Sequence, residues 1–390
     1  MQRPIYFDFM ATTPVDALVV NAMTGCLGPE AGFGNASSTT HSYGHEAHEA
    51  VKQARLQVAE LIFAEPRDIV WTSGATEANN LAIIGAARFH ARSGKHIVTV
   101  KTEHKAVLDA CGYLVGQGFD VTYLDVDAGG RIDLRQLRSS LRADTVLVSV
   151  MHVNNETGVI QDIESIGRIV KAAGVLFHVD AAQSVGKCEL NMRTMPIDLM
   201  SMSAHKIYGP KGVGALYVRQ QPRVRIEPLI YGGGHERGLR AGTLPTHQLV
   251  GMGKAFEIAR QRFEQDRAHL DHLSTTLLTG LSVLPEFSLL GDQQFHFSGC
   301  LNIRLKGIQA ETLLAALPDF ALSVGSACNS AQAVPSHVLL AMGLTRAEAE
   351  QCLRISLGRF TRREHVDALV SRLTSVTDSL SRQSKGIDHD

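Results

Sequence analysis

One lysine, Lys206, stands in a setting that could support covalent chemistry. It ends an apolar, strand-like run over 199–203, with Ser203 and His205 close before it and a turn rich in glycine and proline after it. An amine there can form a Schiff base, while hydroxyl and imidazole neighbours hold a phosphate. The pattern therefore fits a pyridoxal phosphate site, with a solvated loop lysine as the alternative.

A carboxylate lies one strand–helix unit upstream of this lysine. Asp180 ends the apolar run 175–179, and Gln183 follows it. A buried carboxylate is costly to desolvate unless it is paired, and a protonated pyridine nitrogen would be such a partner. Gln183 could reach the phenolic oxygen of the same ring. The alternative is an aspartate that caps the next helix, but the nearby Lys206 favours the pyridine partner.

Two segments could bind a phosphate. The first, 73–76, contains Ala75 and Thr76, follows a strand-like run and opens a helix, where backbone N–H groups attract anions. A simple helix cap is the alternative. The second is a glycine-dense loop over 231–243, with Arg237, Arg240 and Thr243. Such a loop can form an anion nest, or it can be a flexible connector.

Two further polar groups follow strand-like runs. His104 comes after the run 96–100, where an imidazole could stack on an aromatic ring and move protons. Asn154, Asn155 and Glu156 come after the run 145–152 and could bind a carboxylate or a ring hydroxyl. An ordinary packed histidine and a pair of turn-forming asparagines are the alternatives.

The elements that must position these residues alternate along the chain. Strand-like runs are at 68–72, 96–100, 120–124, 145–152, 175–179, 199–203 and 214–218, and helical patterns are at 48–62, 76–92, 106–116, 134–141 and 163–173. This order predicts an α/β fold with a mainly parallel, seven-stranded sheet covered on both faces. Polar residues that follow such strands meet at the carboxyl edge of the sheet.

A smaller C-terminal unit is expected after a long amphipathic helix over 249–281. Its strand-like runs are at 300–305 and 320–323, and its helical patterns are at 311–317, 336–342 and 363–381. We predict an α+β arrangement for this unit. The large domain is predicted to span 15–260, and the small domain 1–14 and 261–390.

Composition limits the class of protein. The chain has 390 residues, 38 basic and 39 acidic side chains, and a net charge of −1, which favours neither nucleic acid nor a membrane surface as a partner. Asp8 interrupts the stretch that a signal peptide would need. The six cysteines have no CxxC pairing, which argues against a zinc site or a disulfide framework. We expect a cytoplasmic protein with no metal site of its own.

A series of motifs connects these residues from end to end. They lie at 6–8, 11–14, 72–77, 102–105, 152–156, 178–180, 203–206, 232–236, 325–328 and 354–359. In this order the chain resembles the cysteine desulfurases of the IscS/NifS type, within the class V pyridoxal phosphate enzymes. The resemblance implies an aspartate aminotransferase-like fold.

The resemblance also implies roles for the cofactor-binding residues. Lys206 would form the Schiff base, Asp180 would pair with the pyridinium nitrogen, and Gln183 would contact the ring oxygen. His104 would stack on the ring and help to move protons. The phosphate would be held by Ala75, Thr76, Ser203 and His205.

Substrate binding and assembly follow from the same resemblance. Asn155, which also lies among the cofactor contacts, and Arg354 would bind the α-carboxylate of L-cysteine. Thr243 would reach the phosphate in a neighbouring subunit, which makes a homodimer the expected working unit. Ala204 stands where relatives have glycine, and its methyl group could crowd the phosphate. The C-terminal residues 382–390 show no counterpart to the tail with which relatives dock an iron–sulfur scaffold.

Cys328 would separate a desulfurase from an aminotransferase. It lies in a run of small residues over 323–331, a poor setting for a structural cysteine. It would take the substrate sulfur as a persulfide, leave L-alanine, and pass sulfur to acceptor proteins for iron–sulfur cluster assembly or tRNA thiolation. It could also ligate a nascent cluster transiently. The alternatives are a selenocysteine lyase, another class V enzyme, or a sulfur-relay docking platform with low turnover.

Overall fold

The computed structural model describes residues 3–284, 286–325 and 335–386. Its strands, in chain order, are β1 (Ile5–Tyr6), β2 (Ile69–Thr72), β3 (His96–Val100), β4 (Asp120–Leu124), β5 (Thr145–Met151), β6 (Leu176–Asp180), β7 (Leu199–Ser203), β8 (Gly214–Val218), β9 (Phe287–Leu289), β10 (Cys300–Leu305), β11 (Phe320–Ala321) and β12 (Cys352–Ser356). Its helices are α1 (Ala17–Thr24), α2 (Ser42–Leu61), α3 (Ala75–His90), α4 (Lys105–Val115), α5 (Leu134–Ser140), α6 (Ile163–Ala172), α7 (Thr246–Leu281), α8 (Ala310–Ala316), α9 (His337–Ala341), α10 (Arg346–Ala349) and α11 (Arg363–Gly386).

Seven strands form the central sheet, in the order β2-β8-β7-β6-β5-β3-β4. The pairs from β7 through β6, β5 and β3 to β4 are parallel, whereas β8 runs antiparallel to both of its neighbours, β2 and β7. The predicted α/β fold with a mainly parallel, seven-stranded sheet is therefore confirmed. Because β2 and β7 both oppose β8, the carboxyl end of β2 lies at the same edge as those of the parallel strands.

Helices cover both faces of this sheet. Successive strand residues point to opposite faces, so Trp71 and Val98 belong to the core on one face while Val70 and Ile97 belong to the core on the other. Residues of α2, α6 and α7 contribute to the first core, and residues of α3 and α4 to the second. Covering the sheet on both faces leaves its carboxyl edge as the place for a polar site.

The C-terminal part has a core of its own. Strands β12, β10 and β9 form an antiparallel sheet, and Leu277, Leu301 and Leu373 pack together with Phe7 from the N-terminal segment. Strand β1 also pairs with β11 in parallel. Since α7 is one continuous helix through residue 260, it connects the two parts, and the domain boundaries stay a prediction.

Helix α2 and strand β11 are among the elements that differ from the sequence-based expectation. Helix α2 begins at Ser42, six residues before the predicted start, and is capped by His41, whose Nδ1 accepts from the Gly44 N–H. Gly44 reads as a helix breaker in the sequence, but a Cβ there would meet the Ser38 carbonyl oxygen at 2.0 Å. A close approach of two backbones therefore requires this glycine. The strand expected over 320–323 pairs with β1 over Phe320–Ala321, and Ser323 forms a separate bridge to Arg354.

The described ranges contain neither a membrane-spanning helix nor a cluster of metal-ligating side chains. No helix there has the length and apolar character that a membrane crossing needs. No group of three or more histidine, cysteine, aspartate or glutamate side chains within those ranges is placed to hold a metal ion.

Candidate active site

A cavity of about 430 Å³ opens at the carboxyl edge of the central sheet. Its walls include ten of the residues singled out in the sequence, which are Ala75, Thr76, His104, Asn155, Asp180, Gln183, Ser203, His205, Lys206 and Arg354. Thr243 is exposed and is not part of this wall, and Cys328 lies outside the described residues. The structure thus brings residues that follow five different strands into one cavity.

Lys206 crosses the cavity toward the N-terminal segment. Its Nζ donates to the carbonyl oxygens of Met10 at 2.6 Å and Ala11 at 2.7 Å. Lys206 follows β7, so these bonds connect the central sheet to a segment almost two hundred residues earlier in the chain. The amine is therefore held at the wall of the cavity, where it can react with a bound carbonyl compound.

Asp180 is buried at the end of β6, with a relative exposure of 3%. Its Oδ2 accepts from Asn79 Nδ2 at 2.7 Å and its Oδ1 from the Ala182 N–H at 2.9 Å. Both partners are neutral, so a cationic group in the cavity would supply the charge that a buried carboxylate needs. Sequence analysis missed Asn79, although an amide within the apolar stretch of α3 is a signal that could have found it.

An anion cradle lies where α3 begins. The helix starts after Gly74, whose φ of 154° suits glycine, and its first N–H groups have no helical partners. The Ser203 hydroxyl beside it is buried and has no hydrogen-bond partner among the described residues. A buried hydroxyl is rarely left unpaired. An anion such as a phosphate would satisfy both groups.

His205 contributes a neutral imidazole to this cradle. Burial and then the nearby charge of Lys206 and Lys211 lower its pKa to about 4. Its Nδ1 is 3.1 Å from the Thr12 hydroxyl. At neutral pH the ring therefore carries one N–H, which can donate to an anion without adding a charge.

The methyl group of Ala204 packs away from the cradle. Ala204 is fully buried in the core on one face of the sheet and is not part of the cavity wall. A Cβ at Gly209 would meet the Ala204 methyl at 2.9 Å. Gly209 therefore gives this methyl its space, and the expected crowding of the phosphate is not what the structure shows.

Arg354 brings a guanidinium group from β12 into the cavity. Its Nη1 donates to the Asn155 carbonyl at 2.8 Å and its Nη2 to Asp8 Oδ1 at 2.7 Å, and its Nε has no partner among the described residues. Asp8 and Asn155 orient the guanidinium group, and its remaining N–H donors can bind a ligand. A carboxylate is the ligand that such a fixed, planar fork binds best.

The glycine-rich loop over 231–243 is anchored to the sheet. Glu236 accepts from both Arg55 nitrogens at 2.7 Å and from the Trp71 N–H at 2.9 Å. Arg237 donates to the Ile69 carbonyl, and Arg240 forms an ion pair with Glu77 of α3 at 2.8 Å. These contacts anchor Arg237 and Arg240 to the sheet, and the anion role of the loop stays a prediction.

Replacing Arg55 with methionine is expected to lower the free energy of unfolding by about 3–5 kcal/mol, because it leaves the buried Glu236 carboxylate without its cation. Denaturant unfolding, followed by the fluorescence of Trp71, the only tryptophan, measures this. Arg135→Met is the control, since its ion pair with Asp133 is exposed to solvent. Equal midpoints for wild type and Arg55→Met would contradict the expectation.

Glu156 and His337 also line the cavity. Sequence analysis considered Glu156 together with the two asparagines before it, and it gave His337 no role. The Glu156 carboxylate accepts from the Ser336 hydroxyl, and a Cβ at Gly325 would come within 2.9 Å of Glu156 Oε2. His337 Nε2 is 2.9 Å from the Glu103 carbonyl oxygen. The described residues on both sides of 326–334 therefore contact one carboxylate of the cavity wall.

This combination of fold and site is found in a known family. Residues 5–369 match the family model described as Aminotransferase class-V. The match covers most of the chain, including every strand of the central sheet and Arg354. The chain belongs to the class V aminotransferase family.

Individual relatives show which members of this family the chain is similar to. "Cysteine desulfurase IscS" of Photobacterium profundum is 53% identical over 384 residues, which cover 98% of this chain and 95% of that protein. Among solved structures, a "NIFS-LIKE PROTEIN" superposes with a TM-score of 0.89 at 36% identity, over 97% of this chain and 99% of that one. Another, "SspA in complex with cysteine", has a TM-score of 0.82 at 39% identity, over 92% and 100%. The resemblance to cysteine desulfurases is confirmed.

Proposed function

We propose that this protein is a pyridoxal phosphate-dependent cysteine desulfurase, which takes sulfur from L-cysteine, releases L-alanine and holds the sulfur as a persulfide on Cys328. The observation that carries the proposal is the single cavity that contains an amine, a buried carboxylate, an anion cradle and a guanidinium fork. A structure 39% identical to this chain is titled as a complex with cysteine, which supports the choice of substrate.

The cavity residues fit the cofactor. The Ser203 hydroxyl, which has no hydrogen-bond partner in the described ranges, would hold its phosphate together with the neutral His205, the N-terminus of α3, Ala75 and Thr76. Asp180 would pair with the ring nitrogen, Gln183 would contact the ring oxygen, and His104 would lie against the ring. When bound, the cofactor supplies an electron sink that makes the α-hydrogen of an amino acid acidic.

Two residues would move that proton. The Lys206 amine, which lines the cavity, would take it from the α-carbon. His104 caps α4, and its Nδ1 accepts from the Ala106 N–H at 3.1 Å. Since Nδ1 accepts this bond, Nε2 is the nitrogen that can donate, which would make His104 a donor or relay on the ring side of the cavity.

Sulfur transfer would need a nucleophilic thiol. Burial raises the pKa of each cysteine that the structure describes: to about 12 for Cys111, Cys300 and Cys352, to about 11 for Cys188, and less for Cys26. Such thiols are poor nucleophiles at neutral pH. Cys328 is the remaining cysteine of the sequence, and the described residues that flank its segment contact Glu156 in the cavity wall.

The proposed transfer of sulfur to Cys328 breaks one bond for the one that it forms. The Cys328 thiolate attacks the substrate sulfur, an S–S bond forms, and the carbon–sulfur bond of the substrate breaks. Its electron pair stays with the carbon, which takes up a proton, so the amino acid leaves as L-alanine. The persulfide then passes its outer sulfur to an acceptor protein.

Arg354→Lys is expected to raise KM for L-cysteine about 10- to 100-fold with a smaller change in kcat, because lysine keeps the charge but loses the fork that binds a carboxylate. Steady-state alanine formation measures both constants. Cysteamine, which lacks the carboxylate, is the comparison compound, and its binding should be unaffected. A variant that loses affinity for both compounds equally would contradict a carboxylate-binding role.

We propose a homodimer as the working unit, since Thr243 is exposed and separate from the cavity of its own chain. Acceptor proteins, an iron–sulfur scaffold among them, would dock near the mouth of the cavity in the cytoplasm.

One experiment tests the function: alanine and sulfide are measured with L-cysteine, and alanine and selenide with L-selenocysteine. If the protein turned over L-selenocysteine but not L-cysteine, it would be a selenocysteine lyase. If it turned over L-cysteine only when an acceptor protein was added, it would be a relay platform.

A further inference from the structure

We propose that Lys187 is a positioning residue, which holds the Gln183 side chain so that its amide N–H group faces the ring oxygen of the bound cofactor. The inference rests on the proposed function, because it assigns a job to the contact between Gln183 and that ring. It begins from one hydrogen bond, in which Lys187 Nζ donates to Gln183 Oε1 at 3.1 Å.

The partners of Gln183 leave its amide only one orientation. An ammonium group can only donate, and a backbone carbonyl can only accept. Lys187 lies at one end of the Gln183 amide, and the Met10 carbonyl lies 2.8 Å from Nε2 at the other. A flipped amide would place donor against donor and acceptor against acceptor. The NH₂ end of Gln183 is thus fixed on the side of Met10, whose carbonyl also accepts from Lys206.

Lys187 approaches from outside the candidate active site. It lines a second cavity of about 310 Å³, which shares Met10 and Lys206 with the first cavity but does not include Gln183. Its ammonium lies 5.3 Å from the centre of the Phe297 ring and 4.0 Å from Met10 Sδ. Lys187 therefore acts through Gln183, from behind the wall that the two cavities share.

The surroundings of Lys187 suit a donor with one specific partner. No carboxylate lies within salt-bridge distance of its Nζ in the part of the chain that the structure describes. Burial lowers the pKa of its ammonium to about 8. By solvent accessibility the residue is half-buried. Here the polar partner within hydrogen-bond distance is the Gln183 carbonyl oxygen.

The test is a spectroscopic pH titration of the holoenzyme. Lys187→Met keeps the length of the side chain and removes the N–H donor, while Lys187→Arg keeps a donor. The absorbance of the bound cofactor changes with pH, and the midpoint of that change is the quantity measured. We expect Lys187→Met to raise this midpoint by about one pH unit, because the ring oxygen loses an oriented donor. Lys187→Arg should return the midpoint toward wild type, and the exposed Lys306→Met should leave it unchanged.

A double-mutant cycle separates positioning from a direct effect of charge. If Lys187 acts through Gln183, then Lys187→Met should shift the midpoint no further in a Gln183→Ala background. An equal shift in both backgrounds, or no shift in either, overturns the inference. Crystal structures of the cofactor-free wild type and Lys187→Met give a second readout. An unmoved Gln183 amide in the variant overturns the inference, whereas a wild type that takes up no cofactor refutes the proposed function instead.

Discussion

Lys206→Arg is expected to lower alanine formation from L-cysteine about 10³-fold or more and to remove the visible absorbance of lysine-bound cofactor. Arginine can still donate to the carbonyl oxygens of Met10 and Ala11, which accept from Lys206 at 2.6 and 2.7 Å. Its guanidinium stays protonated, so it neither attacks a carbonyl carbon nor takes a proton from the substrate. The loss would therefore report the chemistry of the amine and leave its structural bonds in place.

The measurements are an absorbance spectrum, the rate of alanine formation, and borohydride reduction followed by peptide mass analysis. Reduction should fix the cofactor on the peptide that contains Lys206 in the wild type and on no peptide in the variant. Lys101→Arg serves as the control, because that lysine is exposed and pairs with Asp125 outside the cavity. Cofactor fixed on another lysine in wild-type protein would remove Lys206 from its proposed role.

The site could be predicted where a local pattern carries the information. Asp180 and Lys206 each follow an apolar run, and parallel strands bring their carboxyl ends to one edge. A single rule therefore placed Asp180, Lys206 and His104 together before any distance was known. The same rule predicted a helix that begins near residue 76 and directly follows a strand, and α3 begins at Ala75.

The contacts that hold these groups could not be predicted in the same way. Arg354 pairs with Asp8 across nearly the whole chain, and no local pattern encodes a contact at such a separation. The carbonyl of Met10 is a backbone group, so its side chain gives no sign that it accepts from Gln183 and Lys206. Long-range pairing between the N-terminal segment and the rest of the chain thus determines much of the site geometry.

Charge alone says little about the glycine-rich loop. Arg237 and Arg240 suggested an anion site, and in the fold each also binds within the chain, to the Ile69 carbonyl and to Glu77 respectively. An arginine in a sequence shows what it could bind, whereas its neighbours in the fold determine what it does bind. The unpaired Ser203 hydroxyl is the opposite case, because only the structure shows that it lacks a partner among the described residues.

Cys328→Ala is expected to abolish release of L-alanine, with a loss of about 10³-fold or more, while cofactor absorbance and its change on adding L-cysteine are kept. The proposed cavity residues for cofactor and carboxylate, among them Lys206 and Arg354, are unchanged in this variant. Without a thiolate to accept the sulfur, the carbon–sulfur bond of the substrate would stay intact. Binding and turnover should therefore separate, which a variant that merely misfolds would not show.

Mass analysis gives the decisive comparison. Wild-type protein treated with L-cysteine and no reductant should gain one sulfur atom on the peptide that contains Cys328, and Cys328→Ala should gain none. Cys26→Ala is the matched control, because burial raises the pKa of that thiol and it is not part of the cavity wall. Full turnover by Cys328→Ala, or sulfur on Cys26 in the wild type, would move the nucleophile elsewhere. Sulfur on Cys328 alone would show that this residue turns a cofactor site shared with aminotransferases into a desulfurase.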